Sequence, residues 1–343
     1  MSNYVIEQLK NLEGVGFKLL NYAIAQLLNS LMPSSPTLVF CGTPTFAVPT
    51  LEKLVEAGFA VPVVVTQPDR PRGRHMEIAV SPVKQRALQL GLQIIQPDKI
   101  KNNEEFHAQL AGISPAAIVV VGYGRIIPGW MIDLPPLGNL NLHGSLLPKF
   151  RGAAPIQWAI AQGESVTGVT TMRIDPGLDT GDILLQSEIP IAPQDTAVTL
   201  APRMAAIGAD LMVKTLRGLE AGTIHAQPQD DAKATLAPIL TKDDGRIDFH
   251  CTAREIWNRL RGFQPWPGAY TSFRGKNLHI WAAQPVARSL PEGEFLVADN
   301  LLVGCGGESA LQLFEVQIEG KKRMPASDFI HGYHPRSGEK LGD

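Results

Sequence analysis

The chain has 343 residues, of which 44% are apolar and 19% charged, with a formal net charge of -2 and a pI of about 6.5. That length predicts two domains with sizeable cores. The near-neutral balance excludes a globally basic nucleic-acid binder, so any such site must be a local patch. Three cysteines, Cys41, Cys251 and Cys305, lie far apart without zinc spacing, which suits a reducing, cytoplasmic setting and no metal. No apolar run is long enough to span a membrane, so no membrane partner is expected.

Across the first 31 residues Val5, Leu9, Leu12, Leu19, Ala23, Leu27 and Leu31 recur at roughly helical spacing. Glu7, Lys10, Glu13 and Lys18 interrupt them and no arginine is present. A secretory or transit peptide fits poorly. Residues 1–36 therefore read as an extension, dispensable or placed by an upstream start codon before Met32.

Thr37 to Phe40 predicts a strand ending in the turn Cys41-Gly42-Thr43-Pro44. A helical pattern runs from Phe46 to Ala57 and stops at Gly58, and Val61 to Val65 is a buried-strand run. Helix is expected over Pro82 to Leu90 and Glu104 to Leu110. Strands are expected at Leu92 to Ile95, Ala117 to Val121 and Leu140 to His143. The alternation predicts a doubly wound, Rossmann-like α/β core. A nicotinamide enzyme is disfavoured, because Pro44 and Phe46 spoil the first turn as a phosphate cradle.

A strand pair, Val169 to Ile174 and Ile183 to Ile189, precedes a long helical segment from Thr199 to Leu219. A catalytic domain over 37–224 follows from this. The polar stretch 225–238, containing Gln227-Pro228-Gln229-Asp230-Asp231, reads as a linker. Residues 239–343 carry one helix, Ala253 to Gly262. Five short strands follow: Ala269 to Phe273, Leu278 to Ala282, Gly293 to Ala298, Leu301 to Cys305 and Ala310 to Gln317. They suggest a small OB-like β-barrel.

Chemistry concentrates in two places. In Asn139-Leu140-Asn141-Leu142-His143-Gly144 the period-2 alternation puts Asn141 and His143 on one face, near the carboxyl edge where such sheets bind ligands. An amide donor beside an imidazole suits stabilising an oxyanion and moving a proton. The second place is Asp175-Pro176-Gly177-Leu178-Asp179-Thr180-Gly181-Asp182. Its aspartates can shape a turn through their own backbone, or one carboxylate can stand against His143. A calcium loop is excluded by the spacing.

These residues, in this order, resemble the folate-dependent formyltransferase family, from about Thr37 to near the C-terminus. The resemblance implies that Asn141, His143 and Asp179 are catalytic. It implies that Ser145, Leu146, Leu147 and Pro148, with Arg151 to Ile156, line the pocket for 10-formyltetrahydrofolate. Formyl transfer is attack of a neutral amine on an N-formyl carbonyl, and no Ser or Cys sits in a nucleophile motif.

Phe40 to Pro44, Phe46 to Pro49, Gln67 to Pro71 and Ser81 to Lys84 look like segments of family members that act on initiator Met-tRNA. That implies charged initiator tRNA as partner, a monomer, and tRNA contacts from Arg70, Arg72, Arg74 and Lys84. The loop carrying them is net basic against Asp69 and Glu77. His75-Met76-Glu77 stands where family members often carry lysines. Two other readings compete: a sister enzyme formylating an amino sugar nucleotide, disfavoured by the basic loop, and a non-catalytic RNA-binding module, disfavoured by the intact Asn141, His143 and Asp179.

Overall fold

The protein, seen in a computed structural model, is described over residues 36–72 and 77–342. The expectation for the N-terminal extension lies almost wholly outside these residues. The first unit is built on β1 (Thr37–Gly42), α1 (Val48–Glu56), β2 (Ala60–Val65), the hairpin β3 (Arg70–Arg72) and β4 (Glu77–Ala79), α2 (Pro82–Gln89), β5 (Gln93–Ile95), α3 (Glu104–Ile113), β6 (Ala117–Val121), α4 (Gly129–Ile132), β7 (Asn139–His143), α5 (Pro155–Ala161), β8 (Val166–Arg173), β9 (Ile183–Pro190) and α6 (Ala197–Glu220).

Seven strands form one sheet in the order β5-β2-β1-β6-β7-β8-β9. The pairings from β5 to β7 are parallel, while β8 and β9 run antiparallel at the far edge. Strand β6, Ala-Ile-Val-Val-Val, is buried at every position, as a central parallel strand covered on both faces must be. One core packs Leu38, Phe40, Val64 and Val119 against α1 and α6. A second, on the opposite face, packs Val39, Val65, Ile118 and Phe106 of α3.

Local signals set the helix starts. The Ser81 hydroxyl accepts from the Lys84 amide at 3.1 Å ahead of Pro82, and the Asn103 side chain accepts from the Phe106 amide at 3.0 Å. Thr196 caps α6 through reciprocal bonds with Thr199.

The second unit begins with α7 (Ala253–Gly262), capped by Thr252 and Glu255. Strands β10 (Ala269–Phe273), β11 (Lys276–Val286), β12 (Phe295–Val297), β13 (Leu301–Cys305), β14 (Ser309–Ile318) and β15 (Met324–Pro325) make a six-stranded antiparallel sheet, followed by α8 (Ala326–Tyr333). Its core brings Trp257 and Leu260 of α7 against Phe273, Leu278, Val303 and Phe329.

The two units meet where α7 packs on α5. Trp158 and Phe263 stack edge to face at 5.2 Å between centroids, and buried Arg261 donates to the Asp195 carbonyl at 2.8 Å. Gly262 makes this approach possible: a Cβ there would lie 2.6 Å from the Gln157 carbonyl oxygen and 2.9 Å from the Ala161 amide. Gly262→Ala is therefore expected to cost about 1 to 3 kcal/mol, the scale of overpacking a close interface. Denaturant unfolding checks this, and an unchanged midpoint would contradict it.

Candidate active site

On β7, Leu140 and Leu142 are buried in the core on one face, while Asn141 and His143 occupy the other. His143 is only 5% exposed, and its Nε2 lies 2.8 Å from the Phe150 carbonyl oxygen. A carbonyl can only accept, so Nε2 carries a hydrogen and the neutral ring is left with its lone pair at Nδ1. That nitrogen faces Asp179 Oδ2 at 3.7 Å. The Asn141 amide is half-buried and makes no hydrogen bond to any described residue. It remains a donor available to a ligand.

The loop after β7 is held tightly. Ser145 Oγ donates to the Lys149 carbonyl at 2.6 Å. From the neighbouring strand, Thr170 Oγ1 donates to the Ser145 carbonyl at 2.6 Å and accepts from the Leu147 amide at 3.1 Å. Gln186 donates to the Leu147 carbonyl at 2.9 Å. Ser145 and Leu147 are thereby buried, the Leu147–Pro148 peptide is cis, and Leu146 packs over Gly168. The side chains of Ser145 and Leu147 thus brace the loop from within.

The aspartate loop divides its labour. Asp175 is the turn former, its carboxylate accepting from Thr180 Oγ1 at 2.7 and 2.8 Å and from the Gly177 amide at 3.1 Å. Asp179 is turned toward His143, with Oδ2 also accepting from the Gly152 amide at 2.8 Å. Its φ is +53°, a left-handed conformation that a residue bearing a Cβ adopts only when its surroundings impose it.

Sequence reasoning missed two features. The first is a cleft of about 600 Å³ lined by Thr43, Gln67, Arg70, Ser81, Asp98 and Arg125, among others. It opens beyond the carboxyl ends of β1, β2 and β6, where the chain's order about β1 reverses, the expected ligand position in such a sheet. Arg125 Nε donates to Gln67 Oε1 at 3.1 Å, and Gln67 Nε2 donates to the Tyr123 carbonyl at 3.0 Å. The switch-point rule alone would have directed attention to the loop after β6. The second is Gln229, in the segment read as a pattern-poor linker, which bonds directly to the Asp179 turn.

The basic loop is placed only in part. Its ends form the β3–β4 hairpin rather than irregular chain. Arg70 is exposed in the cleft wall and has no ion pair with a described residue. Lys84 is already paired with Asp69, and the Lys84 bond holds the Asp69 carboxyl below its ordinary range. Arg74 and the side chain of Arg72 fall outside the described residues.

Burial raises the thiols of Cys41, Cys251 and Cys305 above their ordinary range, Cys305 to about 12, so none is poised as a thiolate nucleophile. Among the described residues no helix is long and apolar enough to cross a membrane, and no cluster of three or more His, Cys, Asp or Glu could hold a metal ion.

At the carboxyl end of β7 the histidine and the Asp179 carboxylate stand together, with the Asn141 side chain on the same strand face. The chain belongs to the formyltransferase family: the formyl transferase model matches residues 37–216, and the formyl transferase C-terminal domain model matches residues 239–334. The chain is 67% identical over 306 residues to a methionyl-tRNA formyltransferase of Koribacter versatilis, covering 89% of this chain and 98% of that protein. It is 61% identical over 308 residues to the enzyme of the same name from Acidobacterium capsulatum, covering 89% and 99%. Among solved structures, an N-formyltransferase from Helicobacter canadensis, in complex with folinic acid and dTDP-3-aminofucose, shares the fold. Its TM-score is 0.61 at 21% identity, covering 80% of this chain and 98% of that one.

Proposed function

We propose that the chain transfers the formyl group of 10-formyltetrahydrofolate to the amino group of methionine on initiator Met-tRNA, giving N-formylmethionyl-tRNA for translation initiation. The enzyme acts in the cytoplasm as a monomer. The observation that carries the chemistry is the Asn141 side-chain amide, without a partner among the described residues, on the same strand face as a histidine whose Nε2 is bound to a carbonyl.

The donor supplies the activated one-carbon unit, and the protein supplies position and electrostatics. Asn141 donates to the carbonyl oxygen as negative charge gathers there. His143, with Nε2–H bound to Phe150, can act only through Nδ1. The neutral ring accepts a proton from the attacking amine there, and the protonated ring can then give it to the departing N10 of tetrahydrofolate as the N10–formyl bond breaks. Asp179, 3.7 Å from Nδ1, orients the ring and counters the charge it gains. The loop Ser145 to Pro148 forms a braced wall for the donor, set by its backbone more than by its side chains.

The relatives' name, the chain's high identity to them and the basic hairpin support a tRNA acceptor. Lys and Arg contacts to phosphate make binding salt-dependent, and each contact removed flattens the log–log slope by about one unit. Arg72→Ala/Arg74→Ala, and more weakly Arg70→Ala, are expected to raise the Michaelis constant for Met-tRNA and reduce its salt slope. The constant for the folate donor should hardly move. An unchanged tRNA constant and slope in the double variant would remove the hairpin from recognition.

A further inference from the structure

We propose that Gln229 is a positioning residue for Asp179, so that the segment joining the two domains completes the catalytic apparatus. The proposal rests on the reading of His143 and Asp179 as the proton-handling pair.

Gln229 Nε2 donates to the Asp179 carbonyl at 2.8 Å and to the Gly181 carbonyl at 2.7 Å. Both hydrogens of one amide are thus spent on the turn that carries the carboxylate. Its other end is fixed as firmly: Gln229 Oε1 accepts from Arg151 Nε at 3.0 Å and from the terminal Nη2 at 2.9 Å. A guanidinium only donates and a carbonyl only accepts, so the amide orientation has a single solution. Arg151 is itself buried, and Asp231 takes a further bond from it at 2.7 Å.

The ring of contacts then closes. Arg151 holds Gln229 through its side chain, and the next residue, Gly152, holds the Asp179 carboxylate through its amide at 2.8 Å. The turn is therefore gripped from two sides by one dipeptide, directly at the carboxylate and through Gln229 at the backbone. Neighbouring ladders keep the joining segment in place. Ile183 and Gln227 exchange amide–carbonyl bonds at 2.8 Å, the Arg151 amide donates to the Thr235 carbonyl at 2.8 Å, and the Ala237 amide donates to the Arg151 carbonyl at 2.7 Å.

The grip matters because Asp179 sits at φ +53°, a conformation the turn would tend to leave once released. Its carboxylate stands 3.7 Å from His143 Nδ1, where a displacement of about 1 Å alters alignment strongly. Among the described residues the Gln229 side chain bonds only to Arg151 and to the backbone of the Asp179 turn. Its effect passes through Asp179.

The decisive variant is Gln229→Glu, which keeps an oxygen for Arg151 but turns a carboxylate oxygen toward two carbonyls. In the full chain, kcat for formyl transfer is expected to fall about 10- to 100-fold, with Michaelis constants for donor and Met-tRNA changing by less than about twofold. Gln229→Met, of similar length and without charge or donors, should lose kcat in the same sense. It also serves as the test if the glutamate variant does not fold. Combined with Asp179→Asn, either change should cost little beyond the asparagine variant alone.

Backbone hydrogen exchange over residues 175–182 should quicken by about tenfold in each folded variant while exchange in β10 to β14 stays as in wild type. Unchanged exchange over 175–182, unchanged kcat, or strictly additive losses in the double variant would overturn the role of Gln229. Exchange does not depend on the reaction. Wild-type protein inactive toward Met-tRNA would contradict the functional reading, whereas unaltered exchange contradicts only this positioning role.

Discussion

Replacing His143 by alanine is expected to lower turnover on the order of 100- to 1000-fold, the usual scale for losing a positioned proton-transfer group. The ring is almost wholly buried, and its Nε2 is engaged by the Phe150 carbonyl at 2.8 Å. On the proposed mechanism the change removes Nδ1, the ring nitrogen that takes the amine proton, and it leaves a small cavity beside a loop braced independently by Ser145, Thr170 and Gln186. Donor binding should change far less than turnover, because the loop walls persist. Asn141→Ala should lose turnover on a similar scale through the oxyanion. It should cost little stability, since the Asn141 side chain has no described partner. Near-normal turnover of folded His143→Ala protein would remove His143 from the mechanism.

The Asp179→Asn variant is expected to lose turnover by roughly 100-fold while keeping its fold, as for an orienting carboxylate held against a catalytic imidazole. Asparagine retains a side-chain oxygen for the Gly152 amide, and the turn is still shaped by Asp175 and Thr180. What disappears is negative charge opposite His143 Nδ1. If Asp179 acts through the ring, removing both groups should cost little more than removing His143 alone, as residues acting as a unit do. The four-corner cycle of turnover numbers measures this. Strictly additive free-energy losses would mean independent roles, and lost stability with full turnover per folded molecule would reduce Asp179 to a turn residue.

The sequence made the sheet's spine readable because its central strands are continuous apolar runs. Ala117 to Val121 is a strand with the bounds the pattern predicts, and in the second unit so are the alternating edge strand Ala269 to Phe273 and the helix Ala253 to Gly262. The pairing of Asn141 with His143 on one face followed from alternation along a single strand. Short elements were less readable. The β3–β4 hairpin lies among prolines and charges with no apolar alternation, and α5 spans only seven residues after a proline start.

Gln229 was unreadable for a different reason. Its partners lie 48, 50 and 78 residues away, and contacts between distant, aperiodic segments leave no local signature. The same holds for the pairing of Lys84 with Asp69, which takes up a charge that a count of basic residues assigns to tRNA. Asp175 and Asp179 of the loop, alike in sequence, are separated only by geometry: Asp175 bonds its own turn, and Asp179 faces the histidine.

The most direct measurement of the central claim is formyl transfer from 10-formyltetrahydrofolate to two acceptors in parallel, charged initiator Met-tRNA and free methionine, with the full chain. The account predicts turnover with Met-tRNA that saturates in the micromolar range or below, and negligible transfer to free methionine, because phosphate contacts help place the amine at the formyl carbon. No transfer to Met-tRNA, or equal transfer to free methionine, would contradict it.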